Sequence, residues 1–180
     1  ASPDLQFFFG PVQFVDPEYQ IDGPGFTFAP ILAQPLSQGT VTLQSSNPQD
    51  LAVVDPNYLA CEADVDVLVH GIKLARELVH TSAFDGIRGR ELAPGVDVTS
   101  RSELIAYVRK SASTVWHPIG TCRMGRDANA VVNPQLQVYG VEGLRVADAS
   151  VMPKITSGNT NAATIMIGEK AAAMIIADSN

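Results

Sequence analysis

The chain has 180 residues, 46% of them hydrophobic and 17% charged, enough for one sizeable core or two small ones and unlike a disordered polypeptide. Nineteen acidic against twelve basic residues give a formal charge of −7, and the basic residues are scattered, which argues against a nucleic-acid or anionic-lipid surface. The two cysteines, Cys61 and Cys122, lack CxxC spacing and histidine neighbours, so neither a zinc site nor a disulfide framework follows from them.

The opening Ala1-Ser2-Pro3-Asp4 has no initiator Met, basic n-region or apolar signal core, so the expectation is a chain that starts after processing or inside a longer protein. A soluble protein is expected, cytoplasmic in preference to targeted, with the compartment left open. Residues 1–60 read as β-rich, with aromatic and β-branched stretches at 7–15, 26–32 and 40–44 separated by Pro and Gly. The clearest strand is 40–44, whose alternation predicts one buried and one wet face. From Asp64, the spacing of Val65, Leu68, Val69, Ile72, Ala75 and Val79 predicts an amphipathic helix, with Asp64 and Asp66 near its start and Arg76 and His80 near its end. A second helix is predicted at Ser100, where Glu103 completes a capping box. Between the two lies a Gly-rich loop over 85–99.

After Lys110 the glycines at 120, 125, 140 and 143 break the chain into short pieces around expected strands at 135–139 and 144–147. The last segment, 162–177, is apolar on nearly all sides and predicts a helix that lies inside a protein. Its sixteen residues, interrupted by Gly168, Glu169 and Lys170, are too short and too charged for an ordinary membrane span.

The chemistry concentrates between Trp116 and Thr164. Trp116-His117-Pro118-Ile119-Gly120-Thr121-Cys122-Arg123-Met124-Gly125 is followed by Val132-Asn133-Pro134, by Tyr139-Gly140-Val141 and by Gly143-Leu144-Arg145-Val146-Ala147-Asp148-Ala149-Ser150. Met152-Pro153 and Ser157-Gly158-Asn159-Thr160-Asn161-Ala162 complete the series. Other chemistries find no support: there is no GxSxG, HExxH or Walker loop, and His70 and His80 stand ten apart, a spacing that does not bring two ligands to one metal. No metal site is expected.

These ordered blocks resemble the C-terminal signature of the glucose-methanol-choline (GMC) oxidoreductase family, in particular its choline dehydrogenase-like and alcohol dehydrogenase-like members. The close resemblance covers 115–176, and 39–59 resembles the family's substrate-domain strands more loosely. It implies an FAD-dependent oxidation of an alcohol carbon, with hydride passing to flavin N5 and His117 as base. An imidazole suits that role because its unperturbed pKa lies near neutrality. Asn159 matches the position facing the base across the substrate, where an amide can orient the alcohol oxygen without titrating. Trp116 is expected to wall the flavin side, Pro118 to hold His117 extended, and Asp148-Ala149 to approach the cofactor through the backbone. Asn159, Thr160 and Asn161 would bring the start of the last helix to the flavin, although either asparagine also suits a plain helix cap. Cys122 reads as a small buried residue, and Arg123 as a buried charge partner or a surface residue.

The family's GxGxxG Rossmann turn has no counterpart, since Gly23-Pro24-Gly25-Phe26 lacks the third glycine. The expected fold is therefore α/β: residues 1–114 form an antiparallel substrate-side sheet with covering helices, and 115–180 carry the catalytic histidine with the last strand and helix of a flavin domain. The N-terminal half of that domain would come from the same gene or a separate chain. The isolated stretch is expected to hold FAD weakly and to associate. Two alternatives stay open: a flavin-containing hydroxynitrile lyase, and a non-catalytic fragment that completes a flavoprotein partner.

Overall fold

A computed structural model describes residues 2–178. They form two compact units, one made of the chain through Gln38 together with Asn57–Ser113, the other of Gly39–Pro56 with the chain from Thr114 onward.

The first unit is an antiparallel hairpin covered by helices. Strand β1 (Leu5–Gly10) pairs with β2 (Thr27–Leu32), Leu5 opposite Leu32 and Phe9 opposite Phe28. Directly opposed residues share a face of the pleat, which puts Leu5, Phe7, Phe9, Phe28 and Pro30 on one side. Phe7 and Phe28 meet with ring centroids 4.9 Å apart, and Phe84 adds its ring 5.7 Å from Phe26. The chain passes through the second unit's short strands, β3 (Thr40–Thr42) and β4 (Val53–Asp55), before helix α1 (Glu62–Val79) packs on β2. A Cβ on Gly71 would stand 2.6 Å from Pro30 Cβ and 3.0 Å from Leu5 Cδ1, so a residue without a side chain sets this approach.

Helix α2 (Arg101–Ser111) packs on α1, and Val65, Val69, Ile72, Leu104 and Val108 make their common core. The expected capping box is present: Ser100 Oγ accepts from Glu103 N–H, and the Glu103 carboxylate accepts from Ser100 N–H at 3.0 Å. Ser100 hydroxyl and backbone bonds also hold the Glu103 carboxyl below its ordinary range. Asp64 does more than favour a helix start. Buried at 2% exposure, it accepts from Leu36 N–H at 2.9 Å, Ser37 N–H at 2.8 Å and Ser37 Oγ–H at 2.5 Å. Arg76 likewise does more than complement a dipole, since it grips both oxygens of Glu91 and donates to the carbonyls of Val98 and Gly95, ordering the 85–99 loop.

In the second unit β3 and β4 pair antiparallel, Val41 opposite Val54. The expected buried face of 40–44 is absent: all three β3 residues are exposed, because among the described residues the strand pairs with β4 alone, itself exposed throughout. The strand expected at 135–139 is also not formed. Leu136 has φ 64°, and a left-handed residue cannot continue an extended ladder. With that partner broken, 144–147 is reduced to one isolated bridge, Gln137 to Arg145, so the expected C-terminal strand gives way to laced loops. Helix α3 (Asn161–Asp178) closes the unit; only Ile167 and Ala171 are buried, while Ile165 and Met166 are 60% and 58% exposed. Among the described residues no helix is long and apolar enough to cross a membrane.

Candidate active site

Backbone hydrogen bonds, not a sheet, bring the sequence blocks of the second unit together. Gly120, at φ 86°, turns the chain after the His-Pro pair. The next residues then run beside the Ala-Asp-Ala-Ser block, with Cys122 N–H donating to Ser150 O at 3.0 Å and Met124 N–H to Val151 O at 2.8 Å. Val131 N–H returns to Arg123 O, and Gly125 N–H to Val132 O, both at 3.0 Å. Arg123 is no buried charge; it forks onto Asp127 at 3.0 and 2.5 Å. The guanidinium, with Asn129 N–H, holds the Asp127 carboxyl down to about 2. Cys122 is half-buried with a free thiol, more open than expected.

Asp148 precedes a 3-10 turn, Ala149–Val151, and its side chain accepts from Ser150 N–H at 2.7 Å. Proximity to Ser150 holds that carboxyl below its usual range. Thr160 stands at the cap position of α3: it is 6% exposed and its carbonyl accepts from Thr164 N–H at 2.9 Å and Thr164 Oγ–H at 2.8 Å. Asn159 and Asn161 flank it and are exposed. Trp116 is 81% exposed, in a left-handed conformation at φ 63°, and donates its N–H to Thr114 Oγ1 at 3.0 Å. For a bulky side chain such a backbone costs about 1–3 kcal/mol. His117 beside it is half-buried.

One core supports all of these segments. Val132, Leu136, Val151, Met152, Ile167 and Ala171 are buried together, with Ile119, Ala149 and Ala163 packed against them. Ile119 lies two residues after His117, Ala149 directly after Asp148, and Ala163 two residues after Asn161, so the three predicted pieces of the site are carried by one cluster. Ser157, two residues before Asn159, has a left-handed backbone at φ 61°.

The family model for GMC oxidoreductase, the C-terminal one, matches residues 35–168. This chain belongs to the GMC oxidoreductase family. The match takes in the 39–59 stretch as well as the His-Pro block. The chain is 44% identical over 175 residues to the alcohol dehydrogenase [acceptor] of Pseudomonas putida, covering 97% of this chain and 32% of that protein. It is 45% identical over 184 residues to human mitochondrial choline dehydrogenase, covering 96% of this chain and 30% of that enzyme. Among solved structures, an Aspergillus oryzae RIB40 formate oxidase studied for FAD modification superposes with a TM-score of 0.81 at 30% identity, covering 88% of this chain and 28% of the oxidase. The chain thus spans about a third of the length of the GMC relatives it matches. The architecture of this chain is mixed α/β, with small antiparallel sheets and three helices.

Proposed function

We propose that this chain supplies the substrate-side and C-terminal part of an FAD-dependent oxidoreductase acting on the CH–OH group of an alcohol. His117 is the base, and Asn159 orients the alcohol oxygen. The observation that carries this reading is the common support of Ile119, Ala149 and Ala163 on one buried cluster.

The residues present fit a flavin. The first turn of α3 contains no acidic side chain, and its leading N–H groups have no partner within the helix, which suits a group that gains negative charge. A Cβ on Gly158 would meet nothing within 4 Å, leaving room for close approach ahead of that turn. Trp116 offers an open aromatic face, and Ala147, Asp148 and Ala162 expose only short side chains. When bound, FAD supplies the acceptor for the hydride that leaves the alcohol carbon.

The chain's own residues do the rest. The His117 imidazole takes the hydroxyl proton as the C–H bond breaks. The Asn159 amide donates to the oxygen on which charge grows, and does so without titrating. Thr160, buried and bonded to Thr164, fixes where the helix begins and so where Asn159 stands. Asp148 shapes the tight turn that carries Ala149 and Ser150.

The flavin's main hold is assigned to an N-terminal FAD-binding half, consistent with relatives about three times as long. Exposed Ile165 and Met166 on α3 give that half an apolar surface to cover. The test is anaerobic mixing of the full-length protein with a panel of primary alcohols. Bleaching of bound FAD supports an alcohol oxidoreductase, whereas cleavage of a hydroxynitrile with FAD still oxidised would replace it with a lyase.

A further inference from the structure

Five non-glycine residues among those described have left-handed backbone, and two of them sit just upstream of the proposed site pair: Trp116 before His117, and Ser157 two residues before Asn159. Trp116 is the harder to account for. Its side chain is 81% exposed within this chain, so packing of the indole does not explain the conformation. Trp116 N–H donates to the Thr114 hydroxyl oxygen at 3.0 Å, a bond that closes a turn through Val115 and fixes the peptide plane from which the left-handed Trp116 departs. On the other side of His117, the Pro118 ring disfavours helical backbone at the residue before it. His117 is therefore set from both directions, by a left-handed residue before it and a proline after it.

We propose that Thr114 and Trp116 are positioning residues for the base: the Thr114 hydroxyl fixes the peptide entering Trp116, and the left-handed backbone of Trp116 then turns the chain so that the His117 imidazole is aimed at the substrate. This rests on His117 being the base. It assigns a role to Thr114 that its half-buried place at the edge of the block does not otherwise suggest. Neither residue touches the reacting atoms through this device; the hydroxyl holds the peptide that enters Trp116, and Trp116 sets the direction in which the next side chain leaves.

The experiment uses the full-length, FAD-loaded enzyme and reads flavin reduction against alcohol concentration in single-turnover stopped flow. Thr114→Val keeps the shape but removes the acceptor, and should slow reduction at saturating alcohol by about tenfold to a hundredfold, the range expected for a misplaced catalytic group. The apparent Kd for the alcohol and the FAD content should stay near the parent values, and Thr114→Ser should restore the rate. A second pair separates backbone from side chain, because Asn tolerates positive φ and β-branched Val resists it. Trp116→Asn should therefore reduce flavin faster than Trp116→Val, by a similar factor. Should Thr114→Val lose FAD, this second pair decides.

A Thr114→Val rate equal to the parent, or equal rates for Trp116→Asn and Trp116→Val, overturns this inference while a dead His117→Ala leaves the base in place. An active His117→Ala instead removes the reading underneath.

Discussion

The Cys122 N–H donates to the Ser150 carbonyl at 3.0 Å, and this bond, with Met124 to Val151 at 2.8 Å, fastens the segment after the His-Pro pair to the turn after Asp148. Two blocks some thirty residues apart in sequence become neighbours through these backbone bonds and the core beneath them. Cys122→Pro deletes the donor and leaves the half-buried Ser150 carbonyl short of a partner. It should destabilise the second unit by about 1–3 kcal/mol, read as a lowered urea midpoint of the full-length enzyme, and should lower its FAD content.

Asp64 is a buried carboxylate serving three donors on Leu36 and Ser37. Asp64→Ala strands all three, so the loss should be about 3 kcal/mol or more. Asp64→Asn keeps one acceptor and should lose less. Chemical denaturation of the two variants checks the order, and equal losses would mean that the carboxylate is not the common anchor.

Gly71→Ala sets two effects against each other. Alanine in place of a mid-helix glycine favours α1 by roughly 1 kcal/mol, but the new methyl would meet Pro30 Cβ at 2.6 Å, and a proline ring cannot swing aside. Overpacking of this kind costs about 1–3 kcal/mol, so the variant should be neutral to destabilised and never more stable. A thermal melt decides the sign.

Much of the fold was legible where its cause is local. The capping box of Ser100 and Glu103 is written in two side chains three residues apart, and the apolar period of α1 placed that helix to within two residues of its observed start at Glu62. What the sequence hid was non-local or conformational. Nothing near Asp64 announces partners 27 and 28 residues away. The apparent strand at 135–139 has good composition, but Leu136 adopts a backbone usually left to glycine, and no composition rule reads that. The proposed site pieces were readable as ordered blocks. Their common core was not, because Val132, Val151 and Ile167 become neighbours only in three dimensions.

Asp127 should titrate far below an ordinary aspartate. The Arg123 guanidinium, with Asn129 N–H, lowers its pKa from 3.8 to about 2. A depressed folded-state value means that the stabilisation is complete above the unfolded pKa and is lost as pH falls from about 4 through about 2. Carboxyl-carbon NMR should give a midpoint near the lower end. Arg123→Gln should return it towards 3.8 and flatten that part of the acid stability curve.

The central claim is that His117 removes the proton of the alcohol. Its most direct measurement is the rate of anaerobic flavin reduction by a saturating primary alcohol in the full-length His117→Ala enzyme with FAD content matched to the parent. The account predicts a fall of about a hundredfold to ten-thousandfold, the usual contribution of a general base, with FAD still bound. Reduction at the parental rate would contradict it.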